Sequence, residues 1–138
     1  MPAPSLQVRH YMSTRFETLR DTQDFSEAVH LFTTRNSFGA AVLDQLGNMV
    51  GILSVTDCIG EALKSGFDPG NKRSVGSMMS KDVRTVDVDD SILEVAKLFM
   101  EEPYRRYPVM DDNRVVGVVT RLEVLKGLSK ISSSGVAI

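Results

Sequence analysis

Apolar residues along this chain follow two different periods, and the alternation between them occurs twice. Within residues 92 to 100, Ile92, Val95, Ala96, Phe99 and Met100 recur at the spacing of one buried helical face. Ser91 with Glu94 three residues on predicts a capping box at the start of that helix, and Pro103 predicts its end. Before it, Val83 to Val86 predicts a short strand entering Asp87-Val88-Asp89-Asp90. After it, Tyr107 to Met110 and Val115 to Thr120 are β-rich runs around Asp111-Asp112-Asn113-Arg114, which predicts a hairpin. A last helix carries Leu122, Val124, Leu125 and Leu128. The first half of the chain reads alike. Asp24 and Glu27 stand at a cap, and Phe25, Ala28, Val29 and Phe32 form the helical face. The hairpin turns through Asp44-Gln45-Leu46-Gly47-Asn48, and the closing helix carries Ile59, Ala62 and Leu63.

A shift of 67 residues lays Val8 on Val75, Met12 on Met79, Ser13 on Ser80, Thr18 on Thr85 and Glu27 on Glu94. The same shift pairs Leu31 with Leu98, Phe32 with Phe99, Val42 with Val109 and Asp44 with Asp111. One residue then drops out, and a shift of 66 pairs Val50 with Val116 and Gly51 with Gly117. Ordered matches across a single gap are the mark of an internal duplication. The organisation expected is a first repeat at 8–65, a connector at 66–74, a second repeat at 75–130 and a flexible tail at 131–138. The connector is carried by Gly66 and Asp68-Pro69-Gly70-Asn71, and the tail opens on Ser132-Ser133-Ser134-Gly135. The fold class is α+β (α/β-like), two βαββα repeats. A repeat of about 55 residues cannot bury both faces of a three-stranded sheet alone. Packing the two sheets together solves this, with pseudo-twofold symmetry and two equivalent clefts between the copies.

Composition narrows the function. The 138 residues fit one globular unit with an ordinary 42% apolar and 25% charged content. A net charge of −2 without a basic run gives nucleic acid no electrostatic footprint. The single cysteine, Cys58, excludes an internal disulfide framework and suits a reducing compartment. No signal peptide and no run of 18 apolar residues is present, so a cytoplasmic location without membrane association is expected. His10 and His30 are too isolated for a metal cluster, and a buried structural role is expected for Cys58. Neither a dinucleotide fingerprint nor a phosphate loop nor a nucleophile elbow occurs, so no catalytic residue is assigned and no required cofactor is expected.

The duplicated marks resemble the CBS domain family from Val8 to about Leu128. They are Tyr11-Met12-Ser13 and Met78-Met79-Ser80, Tyr107-Pro108-Val109-Met110-Asp111, and Gly51-Ile52-Leu53-Ser54-Val55-Thr56-Asp57. The sequence departs from the family pattern at Glu123, where Asp is usual, and at Ala40-Ala41-Val42, which stands opposite Tyr107-Pro108-Val109. The resemblance implies a regulatory module, without a catalytic domain, that binds an adenosine-containing nucleotide between its two copies. The ligand could be AMP, ADP, ATP or an adenosylated metabolite. A module of the same fold that only dimerises or recruits partners is the alternative.

In the main site, Asp57 is the first choice for a ligand contact, since a carboxylate can accept from a ribose diol. Ser54 and Thr56 lie beside it at a helix start, where backbone N–H groups favour anions. Taken as an isolated motif, Ser54 with Asp57 favours a plain helix cap over a ligand contact, and the resemblance reverses that preference. The resemblance adds Val83 and Arg84 near the base, Tyr104 and Arg105 near sugar or phosphate, and Phe38 and Ile52 against the ligand. Guanidinium forks suit phosphate. Arg105 and Arg106 can equally be solvated surface. A second, weaker site would use Val118, Thr120 and Glu123 with Phe16 and Glu17, whose charge opposes phosphate. The expected partners are an adenosine nucleotide, an unknown effector protein and a second copy of the chain. The homodimer is expected because Leu93 and Leu98 fall outside the core-facing stripe of their helix.

Overall fold

The computed structural model describes residues 5–66, 68 and 70–133. The chain forms two compact units, one of Phe16–Val83, the other of the residues up to Arg15 together with those from Arg84.

In the Phe16–Val83 unit, β1 (Glu17–Arg20), α1 (Phe25–Arg35), β2 (Gly39–Leu43), β3 (Met49–Ser54) and α2 (Val55–Ser65) follow in order, then the short helix α3 (Val75–Met78). The sheet order is β1-β2-β3, with β1 parallel to β2 and β2 antiparallel to β3. The other unit repeats this with β4 (Val86–Asp87), α4 (Ile92–Glu101), β5 (Arg106–Asp111), β6 (Arg114–Thr120) and α5 (Arg121–Ser133). Its order is β4-β5-β6, with β4 parallel to β5 and β5 antiparallel to β6. Both halves are thus βαββα. The parallel pair needs the helical crossover, while the antiparallel pair closes through a short turn. Each unit has its own core. One gathers Leu19, Phe25, Ala28, Phe32, Val42, Leu53 and Val75, the other Val8, Val86, Ile92, Val95, Tyr107, Val109, Val119 and Ile131.

The compact units do not follow the sequence repeats. Val8 is buried in the core of the β4–β6 unit, where its N–H donates to the Asp90 carbonyl at 2.9 Å. Ser13 exchanges two backbone hydrogen bonds with Val118 at 2.8 and 2.9 Å. Val75 is buried in the β1–β3 unit, and Ser80 exchanges bonds with Ile52 at 2.8 and 2.9 Å. The Met-Ser lead-in of each repeat therefore covers the sheet edge of the other repeat's unit, which satisfies backbone groups that an edge leaves open. This contact demands glycine. A Cβ at Gly51 would lie 2.6 Å from both Met79 Sδ and the Ser80 carbonyl oxygen, and one at Gly117 2.7 Å from Met12 Sδ and 2.8 Å from the Ser13 oxygen.

Several local expectations are corrected. The strand read at Val83–Val86 is Val86–Asp87, because only there does β5 lie alongside, with Val86 opposite Val109 and Asp87 opposite Met110. No capping box forms at Ser91, whose hydroxyl accepts from Leu93 N–H, while Glu94 pairs with Lys97 at 3.5 Å. Asp24 does cap α1, accepting from Glu27 N–H at 3.0 Å. Met100 is exposed rather than on the buried face. At 100° per residue it lies a quarter-turn beyond the Ile92–Val95–Phe99 stripe. Leu93 and Leu98 are half-buried, Leu98 against the core, so they do not form the outward face expected of them. The exposed apolar side chains of the closing helices are Ile59 and Leu63 on α2 and Leu122 and Leu125 on α5. Helix α5 continues through Ser133, because Ile131 is fully buried, so residues 131–133 are not a tail. Residues 134–138 of that segment, and Phe67 and Pro69 of the connector, lie outside the described residues.

Candidate functional site

At the end of β3 the chain turns directly into α2, and Ser54 is its N-cap. Ser54 Oγ accepts from Asp57 N–H at 3.1 Å, and Asp57 Oδ2 accepts from Ser54 N–H at 2.8 Å and from Ser54 Oγ at 2.9 Å. This is a complete capping box. The cap role of Asp57 is therefore real. It occupies one carboxylate oxygen and leaves Oδ1 without a hydrogen bond among the described residues. One carboxylate oxygen, not both, is thus left to accept from a diol. Thr56 is exposed beside Asp57, and Ile52 is half-buried two residues before Ser54. Phe38 is exposed, and its carbonyl accepts from Val55 N–H at 3.0 Å, so it stands at the same junction.

The β6–α5 junction repeats part of the arrangement. Glu123 Oε2 accepts from Thr120 N–H at 2.8 Å and from the Thr120 hydroxyl. Glu123 thus reaches back to the Thr120 backbone and hydroxyl despite its extra methylene. Val118, two residues before Thr120, is held by the Ser13 bridge as Ile52 is by Ser80. Phe16 and Glu17 are half-buried at the start of the other unit's β1.

Ile52, Ser54, Thr56, Asp57, Phe38 and Val83 all fall in the Phe16–Val83 unit, and Arg84, Tyr104 and Arg105 in the other. Val83 is half-buried and Arg105 exposed. Arg84 is not an open cation. Its Nε donates to Glu102 Oε1 and its Nη2 pairs with Oε2, each at 3.1 Å. The Tyr107 hydroxyl donates to the same Oε1 at 2.9 Å. The bond from Arg84, then that from Tyr107, holds the Glu102 carboxyl below the usual range. Burial, reinforced by Glu102, pushes the Tyr107 hydroxyl up to about 12. The ring of Tyr104 meets that of Tyr107 edge-on at 5.9 Å. Sequence reasoning missed Glu102 and Tyr107. It had one usable signal, since the 67-residue shift sets Arg84 and Glu102 on Glu17 and Arg35, a charge-reversed pair.

A second polar network ties α2 to the connector. The buried Glu61 carboxylate pairs with Arg73 and accepts from Ser65 Oγ at 2.8 Å and Asn71 Nδ2 at 3.2 Å. The Ser65 and Asn71 bonds, then Arg73, hold its carboxyl low. Burial pushes the Cys58 thiol, at 7% exposure, up to about 11. No trio of His, Cys, Asp or Glu among the described residues could hold a metal ion, and no described helix is long and apolar enough to cross a membrane.

A family model described as CBS domain matches residues 8–64 and again 75–130. The chain belongs to the CBS domain family. Uncharacterized protein MJ1225 of Methanocaldococcus jannaschii is 26% identical over 119 residues, 86% of this chain and 41% of that relative. The chain thus spans less than half the length of this curated relative. Among solved structures, CBSX2 in complex with AMP is 23% identical with a TM-score of 0.76, over 93% of this chain and 99% of that one. The CBS domain pair of MJ0100, in complex with 5′-methylthioadenosine and S-adenosyl-L-methionine, is 25% identical with a TM-score of 0.72, over 91% and 98%. The tandem CBS pair and its α+β architecture are therefore those of established relatives, some of which carry adenosine-containing ligands.

Proposed function

We propose that this CBS pair is a regulatory sensor of an adenosine-containing ligand and catalyses no reaction. One observation carries the reading. Asp57 is fixed by three hydrogen bonds of its capping box, yet keeps Oδ1 unbonded at a strand-to-helix junction. An acceptor held in place before binding loses little conformational freedom when a ribose hydroxyl arrives. The nearby N–H groups at the start of α2 favour an anion or a polar sugar edge. A CBS pair 25% identical to this chain has adenosine-containing ligands bound, which supports the same ligand class. In this reading Ile52, Ser54, Thr56, Phe38, Val83, Arg84, Tyr104 and Arg105 serve the Asp57 site. Val118, Thr120, Glu123, Phe16 and Glu17 serve a weaker one.

A thermal-shift panel of AMP, ADP, ATP, adenosine and 5′-methylthioadenosine tests it. A ligand at 100 times its dissociation constant adds about 2.7 kcal/mol of stability, which for this chain raises the melting temperature by roughly 10 °C. Asp57→Ala should abolish most of that shift while costing the unliganded fold about 1 kcal/mol as a lost cap. Glu123→Ala should reduce the shift far less. If no adenosine compound moves the melting point, the module is a protein-interaction unit instead. The reading extends to a cytoplasmic homodimer that signals to an effector protein, to which exposed apolar side chains in each unit, Ile59 and Leu63 on α2 and Leu122 and Leu125 on α5, are available. Light scattering that finds only a 15.2 kDa species at tens of micromolar excludes the dimer.

A further inference from the structure

Two methionines hold matching places in the two units. Met12 corresponds to Met79 under the 67-residue shift, and Gly51 to Gly117 under the 66-residue shift. Each thioether covers the edge-strand glycine of its own unit. A Cβ at Gly51 would fall 2.6 Å from Met79 Sδ, and one at Gly117 2.7 Å from Met12 Sδ. The sulfur thus fills the space that a larger residue's Cβ would take. Both side chains also pack on a core, Met12 on the one that holds Tyr107 and Met79 on the one that holds Leu53. Yet both are only half-buried, so a small solute can reach them. The backbone donors around each sulfur are already committed. The N–H groups of Ser80 and Ile52 donate to each other's carbonyls at 2.8 and 2.9 Å, as do those of Ser13 and Val118. The neighbours that share the space with the sulfur are carbonyl oxygens, Ser80 O at 2.6 Å from the Gly51 Cβ position and Ser13 O at 2.8 Å from that of Gly117. A thioether tolerates such a neighbour. A sulfoxide would bring a strong acceptor to a place whose backbone donors are taken.

We propose that Met12 and Met79 are a pair of oxidation sites through which a hydroperoxide loosens each Met-Ser lead-in from the sheet edge it covers. The thioether attacks the terminal peroxide oxygen, and an S–O bond forms as the O–O bond breaks. The sulfur gives up two electrons, the proton of the transferred oxygen passes to the departing one, and the peroxide leaves as water or an alcohol. The new oxygen cannot share its space with the Ser80 or Ser13 carbonyl, and a side chain swung outward leaves the glycine uncovered. The modification needs no bound ligand. Met100, 87% exposed on α4, is the reference, because nothing is packed on it to be disturbed. The test treats the protein with graded hydrogen peroxide. Tandem mass spectrometry reads oxidation at each methionine and at Cys58, and hydrogen exchange followed by NMR reads single amides. Met100 should convert first without effect on exchange. Conversion of Met79 should speed exchange at Ile52 and Ser80, and conversion of Met12 at Ser13 and Val118, by roughly 5- to 30-fold, the factor supplied by one or two lost backbone bonds. Met79→Leu keeps the apolar bulk but takes up no oxygen. It should suppress the response at Ile52 and Ser80 and spare that at Ser13 and Val118. The proposal is overturned if Met12 and Met79 stay reduced until the whole fold opens, or if they convert while the four amides keep the exchange rates of the untreated protein. Should Met79→Leu fail to fold, the wild-type titration alone decides between these outcomes.

Discussion

Replacing Gly51 by alanine adds one methyl group where the structure has no room for it. The new Cβ would lie 2.6 Å from Met79 Sδ and 2.6 Å from the Ser80 carbonyl oxygen. The thioether can rotate away, but the carbonyl belongs to a backbone that exchanges hydrogen bonds with Ile52 at 2.8 and 2.9 Å. Overpacking of this kind costs about 1–3 kcal/mol. If the lead-in is pushed off the edge, each backbone bond lost adds about 1 kcal/mol. A loss of roughly 2–4 kcal/mol follows, and at about 4 °C per kcal/mol for this chain length the melting temperature should fall by roughly 8–16 °C. Gly60→Ala is the matched control, since a Cβ there meets nothing within 4 Å and the residue lies inside α2. Alanine in a helix interior should hold or raise stability by up to about 1 kcal/mol. Differential scanning calorimetry reads both. The crossed lead-in is refuted as a stabilising contact if Gly51→Ala melts within about 2 °C of wild type, or if Gly60→Ala falls as far.

The low carboxyl of Glu61 fixes a direction with pH. A carboxylate whose folded pKa lies below its unfolded value contributes stability above the unfolded value, near pH 4.3, and loses it as pH falls through the folded one. Denaturation midpoints should therefore drop on acidification below about pH 5, and Glu61→Gln should flatten that slope; an unchanged slope contradicts the assignment. The raised thiol of Cys58 predicts slow alkylation by iodoacetamide at pH 8 in the native protein and rapid alkylation in denaturant, read by mass spectrometry. Equal rates in both would mean the thiol is not shielded.

Much of this protein was written locally. The helical period at Ile92, Val95 and Phe99, the alternation in the hairpin strands and the cap at Asp24 depend on neighbours within a few residues. Because such patterns are local, the sequence could show the duplicated βαββα order, the CBS resemblance and the Ser54–Asp57 junction. It could not tell which of two serine boxes closes. Ser54 and Asp57 complete theirs, while Ser91 turns to Leu93 and Glu94 to Lys97. That choice depends on the backbone angle at which a strand or a turn enters the helix. Contacts distant in sequence were decided by packing alone. Ser13 meets Val118 and Ser80 meets Ile52, although no local pattern names an edge-strand partner. Arg84 finds Glu102, 18 residues away, because the C-cap of α4 and the approach to β4 end side by side. The resemblance made Arg84 a candidate ligand contact near the base; only the tertiary structure places a carboxylate against its guanidinium.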